Sequence, residues 1–171
     1  MHIDEAARTF LALDRIAVVG VSRGGTSPAN AIATKLRETG HEVFAVNRSG
    51  VEVGGHPTFP AVDAIDGGVD AVVVVTRPEH ARAAAEEAGR AGARWIWFHQ
   101  GFGPVSYDDE AIRTAREAGL HVIAAACPMM YADPDGFHRC ALRLFRWVGR
   151  VPGDIPLSTP LSEAETTAPS R

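Results

Sequence analysis

The sequence predicts a doubly wound α/β protein, a parallel sheet with helices on both faces. Five short aliphatic runs recur at wide spacing: IAVVGV from Ile16, EVFAV from Glu42, DAVVVV from Asp70, WIWFH from Trp95 and HVIAAA from His121. None alternates cleanly between apolar and polar residues, the pattern of parallel strands buried on both sides. Between them lie ANAIATKLRETG, PEHARAAAEEAGRAGA and DDEAIRTAREAG, rich in Ala, Glu and Arg and closing near Gly40, Gly92 and Gly119. Strand and helix alternating at this spacing imply right-handed crossovers in one sheet.

In chain order, MHIDEAARTFLALD reads as a short helix. Its acids Asp4, Glu5 and Asp14, and its lack of a basic segment before an apolar one, set it apart from a signal peptide. After the second strand, VEVGGHPTFPAVDAI holds a Gly pair and two Pro and reads as a short extra edge strand plus a helical turn. Trp95 and Trp97 alternate with Ile96 and Phe98 along the fourth run, which two-sided burial explains without a cofactor. Beyond Pro128 an irregular stretch, MMYADPDG, leads to FHRCALRLFRWVG, where Phe137, Leu142, Phe145 and Trp147 mark the apolar face of a last helix. From Val151 onward there are four Pro and little large apolar content. A single Rossmann-like domain over 1–150 and a disordered tail over 151–171 are therefore expected.

The chain is 171 residues long, 46% hydrophobic and 22% charged, the balance of a globular domain with a core of its own. Its 17 basic and 21 acidic residues give a net charge of -4, without the basic excess that phosphate-backbone binding requires, so nucleic acid is excluded as a partner. Two cysteines, Cys127 and Cys140, are not a disulfide framework and fit a reducing cytoplasm. Apolar runs stay far below the ~20 residues that cross a bilayer, so no membrane association is expected.

In a doubly wound sheet the ligand lies beyond the carboxyl ends of the strands. Those loops read Gly20-Val21-Ser22-Arg23-Gly24-Gly25, Asn47-Arg48-Ser49-Gly50, Thr76-Arg77-Pro78, His99-Gln100-Gly101 and Cys127-Pro128, with arginine at three of the five. The first nearly spells the dinucleotide fingerprint, with Gly20 and Gly25 in place and Ser22 at the second glycine. Glycines there admit backbone N–H groups to a phosphate, and the next helix adds its positive end. Asn47-Arg48 stands where an acid would hold the ribose of NAD, and Arg48 suits a phosphorylated ribose: NADP, or a nucleotide phosphorylated elsewhere on that sugar.

Two other motifs overlap this loop. Gly20-Val21-Ser22-Arg23-Gly24 matches G-x-S-x-G, for which His121 or His138 with Asp108 or Asp133 would complete a small serine hydrolase. No HGGG-like segment precedes it, and too little sheet precedes the first strand. The P-loop spacing is present, but Thr26 stands where Lys is required. His99, Cys127, His138 and Cys140 do not form a metal set, because His138 and Cys140 are two apart on a helix and share no face.

GVSRGGTSPANAIATKLRETGHEVFAVN, then VVVVTRPEHARAAAEEAGRAGARWIWFHQG, then AREAGLHVIAAACPMM resembles the small CoA-binding domain proteins. The shared pattern is a glycine-rich first loop, a Trp-bearing fourth strand ending in Gln and Gly, and a cysteine after the last strand. Its fold is similar to the N-terminal CoA-binding domain of the succinyl-CoA synthetase alpha subunit. The resemblance implies that Ser22, Arg23, Gly24 and Arg48 contact the nucleotide and its phosphates. Thr76, Arg77 and Pro78 would line the crevice, with Gln100 and Gly101 near the pantetheine arm. Arg23, Arg48 and Arg77 also suit a 3′-phosphate plus a pyrophosphate on physical grounds.

Two departures limit the carry-over. Ala126 stands before the cysteine where many relatives have a polar or basic residue. The synthetase's catalytic histidine belongs to a second domain without a counterpart here, so the resemblance implies CoA binding and brings no catalysis with it. Cys127 has two readings, a buried small hydrophobe or a thiol able to form a mixed disulfide with CoA. The expected function is a stand-alone CoA or acyl-CoA binding protein, with an NADP-dependent oxidoreductase and the Ser22 hydrolase as alternatives. The candidate contacts are thus Gly20, Val21, Ser22, Arg23, Gly24, Asn47, Arg48, Thr76, Arg77, Pro78, Gln100, Gly101 and Cys127.

Overall fold

The computed structural model describes residues 1–24 and 27–156. Six strands form one all-parallel sheet: β1 (Arg15–Val19), β2 (Glu42–Val46), β3 (Thr58–Phe59), β4 (Ala71–Val74), β5 (Trp95–Phe98) and β6 (His121–Ala124). Their order is β3-β2-β1-β4-β5-β6, the Rossmann arrangement, in which successive strands are added outward on one side of β1 and then, from β4, on the other. The helices are α1 (Ile3–Leu11), α2 (Pro28–Glu38), α3 (Pro78–Arg90), α4 (Asp109–Glu117) and α5 (Gly136–Trp147), with short 3-10 turns at Val62–Ala64 and Pro128–Met130. The predicted edge strand and helical turn are thus β3 and Val62–Ala64.

Each continuous apolar run is split by the two-residue period of a strand into two cores. Ile16, Val18, Ala71, Val73, Trp95, Trp97 and Ile123 face the layer of α1, α2 and α5. Ala17, Val19, Val72, Val74, Ile96, Phe98 and Val122 face α3 and α4. Trp97 packs edge-on against Phe10 of α1 at 5.2 Å, and its indole N–H donates to the Ala125 carbonyl at 2.8 Å. Two-sided burial therefore accounts for both tryptophans. Side-chain caps start four helices: His2 Nδ1 accepts from the Asp4 N–H at 3.3 Å, Ser27 from Asn30 at 3.2 Å, Asp108 from Ala111 at 2.8 Å and Asp135 from His138 at 2.8 Å.

Two expectations at the C-terminal end are corrected. On α5 the buried residues are Ala141 and Phe145, with Leu142 partly buried, whereas Phe137 and Trp147 are exposed. They lie on a different arc of the helix from Ala141 and Phe145. The folded body also continues past residue 150. Val151 and Ile155 are buried, and the Ile155 N–H donates to the Met1 carbonyl at 2.9 Å. The remainder of the expected tail, 157–171, lies outside the described residues.

Candidate functional site

Because all six strands run parallel, the loops after β1, β2, β4, β5 and β6 emerge along one edge of the sheet. At the β1/β4 switch point the carboxyl ends of β1, β2 and β4, with Pro60 and α3, surround a cavity of about 150 Å³. Gly20, Val21, Asn47, Arg48 and Thr76 line it, so five of the sequence-predicted residues come together there. The other lining side chains include His80, Ala84 and Glu87, one face of α3 at helical spacing. Ser22, Arg23, Gly24, Arg77, Pro78, Gln100, Gly101 and Cys127 lie on the same edge without lining this cavity.

The geometry separates groups that build the loops from groups that can reach a ligand. Gly20 has φ 107°, and a Cβ there would lie 2.2 Å from the Val75 carbonyl oxygen, so glycine is required by the close approach of two backbones. Its N–H donates to the Val46 carbonyl at 3.1 Å. The Ser22 N–H donates to Asn30 Oδ1 at 3.0 Å, and Asn30 Nδ2 returns a bond to the Ser22 carbonyl at 2.7 Å. Those two loop N–H groups are thus committed to the protein rather than offered to a phosphate. Asn47 is similarly occupied: its Nδ2 donates to the Val21 carbonyl at 2.6 Å and its Oδ1 accepts from the Ser49 N–H at 2.9 Å. It ties the second loop to the first. Gly25 and Thr26 lie outside the described residues.

Arg48 is 66% exposed at the cavity rim, with Nη2 3.8 Å from Glu87 Oε1. Glu87 is only 14% exposed, and its other oxygen accepts from the Val62 N–H at 3.2 Å. Thr76 Oγ1 is buried and has no hydrogen-bond partner among the described residues, an arrangement that costs roughly 1–3 kcal/mol unless satisfied. Arg77 is 83% exposed and sits 3.7 Å from Glu79 as the N-cap residue of α3, while Pro78 opens that helix.

At the β5 and β6 ends the structure favours packing. The Tyr107 hydroxyl proton is shared between Gln100 Oε1 at 3.2 Å and the Ala124 carbonyl at 3.1 Å, and burial raises the Tyr107 pKa. Gly101 accommodates the His99 ring, whose Cε1 would lie 3.1 Å from a Cβ at that position. Burial pushes His99 down to about 4 and keeps it neutral at pH 7. Cys127 is buried behind Ala126, which adopts a left-handed φ of 57°. Burial pushes its thiol up to about 11 against a smaller opposing effect of the Met129 N–H. His80, Glu87 and Tyr107 were not singled out from the sequence. The α3 face could have been flagged only by asking which side of that helix follows Thr76.

The groups once paired with Ser22 are placed elsewhere. His121 begins β6 at the opposite edge of the sheet, Asp108 caps α4, and Asp133 pairs with Lys35 at 3.1 Å. His138 pairs with Asp135 at 2.8 Å in a separate groove of about 420 Å³ between α2 and the start of α5.

A parallel sheet in Rossmann order, with a cavity at its switch point, defines a Rossmann-like α/β fold. Residues 14–133 match the CoA binding domain model, and the chain belongs to that family. It is 31% identical over 113 residues to the uncharacterised protein YneT of Bacillus subtilis (strain 168), covering 66% of this chain and 81% of that one. A hypothetical protein from Pyrococcus horikoshii OT3 is 31% identical with a TM-score of 0.69, over 81% of this chain and 92% of its own. Acetyl-coenzyme A synthetase 1 of Ca. Korarchaeum cryptofilum, solved with phosphate and ADP, is 26% identical with a TM-score of 0.54. The match covers 63% of this chain but only 24% of the synthetase.

Proposed function

We propose that this chain binds coenzyme A or an acyl-CoA at the β1/β4 switch point, as a stand-alone module without catalysis of its own. The observation that carries the reading is the cavity itself, in a member of the CoA-binding domain family: apolar walls from Val19, Val21, Val46 and Ala84 beside Arg48 and the unpartnered Thr76 hydroxyl. Apolar walls suit a purine. A cation at the rim suits the ribose phosphate. Glu87, beside Arg48, offers acceptor oxygens to amine or hydroxyl donors and opposes a second anion on the same spot. The Arg23 and Arg77 guanidinium groups remain for the pyrophosphate, and the Gln100, Gly101 and Cys127 edge for the pantetheine arm. A buried neutral thiol at Cys127 supports the packing reading over a standing mixed disulfide.

Thermal unfolding with CoA, NADP and NAD at equal concentration tests the reading. Ligand at ~100 times its dissociation constant adds roughly 2.7 kcal/mol, a rise of roughly 5–10 °C for a chain of this size. CoA alone is expected to produce it. A shift with NADP and none with CoA would replace this reading with the oxidoreductase, and no shift with any of the three would refute nucleotide binding.

A further inference from the structure

Among the described residues, the exposed large apolar side chains fall on one surface: Phe137, Leu144, Trp147 and Val148 of α5, and Phe102 from the loop after β5. Phe102 is joined to α5 by ring contacts of 5.9 Å with Phe137 and 4.9 Å with Phe145. Positions 137, 140, 144 and 147 repeat at three- and four-residue intervals, the seam by which one helix packs against another. The arc that holds α5 to the sheet, Ala141 and Phe145, is a separate one. The family match ends at residue 133, so the α5 part of this surface lies beyond the matched domain, whereas Phe102 lies within it.

We propose that the chain pairs with a second copy of itself through the α5 seam, forming an isologous dimer. The five side chains present about 600 Å² of apolar surface, the upper end of the largest patch on an ordinary monomer and most of the ~800 Å² that each partner buries in a stable complex. Trp147, 84% exposed, and Phe137, 63% exposed, are the aromatic anchors that dominate such interfaces. A two-fold axis lets one stripe cover its own copy and so closes the assembly. Cys140, exposed and within the seam, reports on the contact, while Cys127 is buried.

Sedimentation equilibrium of the full chain tests this, beside the double variant Leu144→Lys, Trp147→Lys and a variant ending at Pro156. Both lysines replace exposed side chains, so the circular dichroism spectrum and CoA response are expected to stay unchanged, and the melting temperature to fall only by the stabilisation that dimerisation supplies. The wild type is expected to be dimeric, with the double variant weakened roughly 100-fold or more. A bismaleimide is expected to link two wild-type chains and to fail with Cys140→Ser and with the double variant. A monomeric wild type across the micromolar range would overturn the proposal. So would a dimer untouched by the lysines. A full chain that stays monomeric while the shortened one dimerises would overturn it in favour of residues 157–171 covering the seam, and binding of the monomer to phosphatidylglycerol vesicles would assign the face to a membrane surface.

Discussion

Replacing Gly20 by Ala tests whether the first loop is shaped by backbone approach. At φ 107° an L-residue costs roughly 1–2 kcal/mol before any contact is made. The added Cβ would also lie 2.2 Å from the Val75 carbonyl oxygen and 2.9 Å from its carbon, both backbone atoms. Relief requires the loop to leave β4, which strains the Val75 N–H bond to Val19 at 2.9 Å and the Gly20 N–H bond to Val46 at 3.1 Å, each worth about 1 kcal/mol. The total is about 3–4 kcal/mol. At about 2–4 °C per kcal/mol for a chain of this size, the melting temperature should fall by about 6–16 °C. Gly119→Ala is the control: φ is 81° but nothing lies within 4 Å of the new Cβ, so only the conformational cost of roughly 1–2 kcal/mol applies. Calorimetric melts of the two variants should therefore differ by several degrees. Equal losses would refute the close-approach reasoning and leave φ alone as the reason for glycine.

Arg48→Ala should weaken CoA by roughly 5–30-fold in calorimetric titration and dephospho-CoA much less, because only CoA carries the ribose phosphate and the guanidinium is partly solvated. Equal losses would remove Arg48 from that role. In native protein at pH 8 a disulfide reagent should modify Cys140 rapidly and Cys127 only on unfolding, since burial pushes the latter thiol up to about 11. Two fast thiols would contradict this. His99 sets a pH dependence: with a folded pKa of about 4 against about 6.5 when unfolded, the unfolded chain binds the extra proton between those values. Stability should thus fall by roughly 3 kcal/mol as pH drops through that window, and His99→Gln should flatten this part of a melting-temperature profile.

The order of elements was legible because the alternation of buried runs with Ala-rich helices depends on local periodicity alone, and Gly40, Gly92 and Gly119 punctuate it. Strand ends likewise pointed to the edge of the sheet on which the switch-point cavity lies. Side chains reaching that edge from elsewhere were not legible: Glu87 lies nearly forty residues beyond Arg48 in sequence, and only the packing of α3 on the sheet brings the two within 3.8 Å. The α5 misreading has a related cause. Its apolar residues occupy two arcs, Ala141 with Phe145 and Phe137 with Leu144 and Trp147, and helical spacing cannot say which arc meets the core. The burial of Val151 and Ile155 was not legible because it depends on contacts with the opposite end of the chain, such as Ile155 with Met1.

Polar residues at the strand ends divide by what their atoms already do. Asn30 and Asn47 use donor and acceptor alike to fix the first loop, tying it to α2 and to the second loop. A ligand that displaced these bonds would have to replace several satisfied pairs, so it gains little from them. Arg48, Thr76, His80 and Glu87 line the same cavity, and among the described residues the Thr76 hydroxyl is buried without a partner and Arg48 holds a long ion pair. A donor or acceptor brought to Thr76, or an anion brought to Arg48, therefore adds interactions without breaking strong ones, and this is the difference between a loop that is merely folded and one that is prepared to bind.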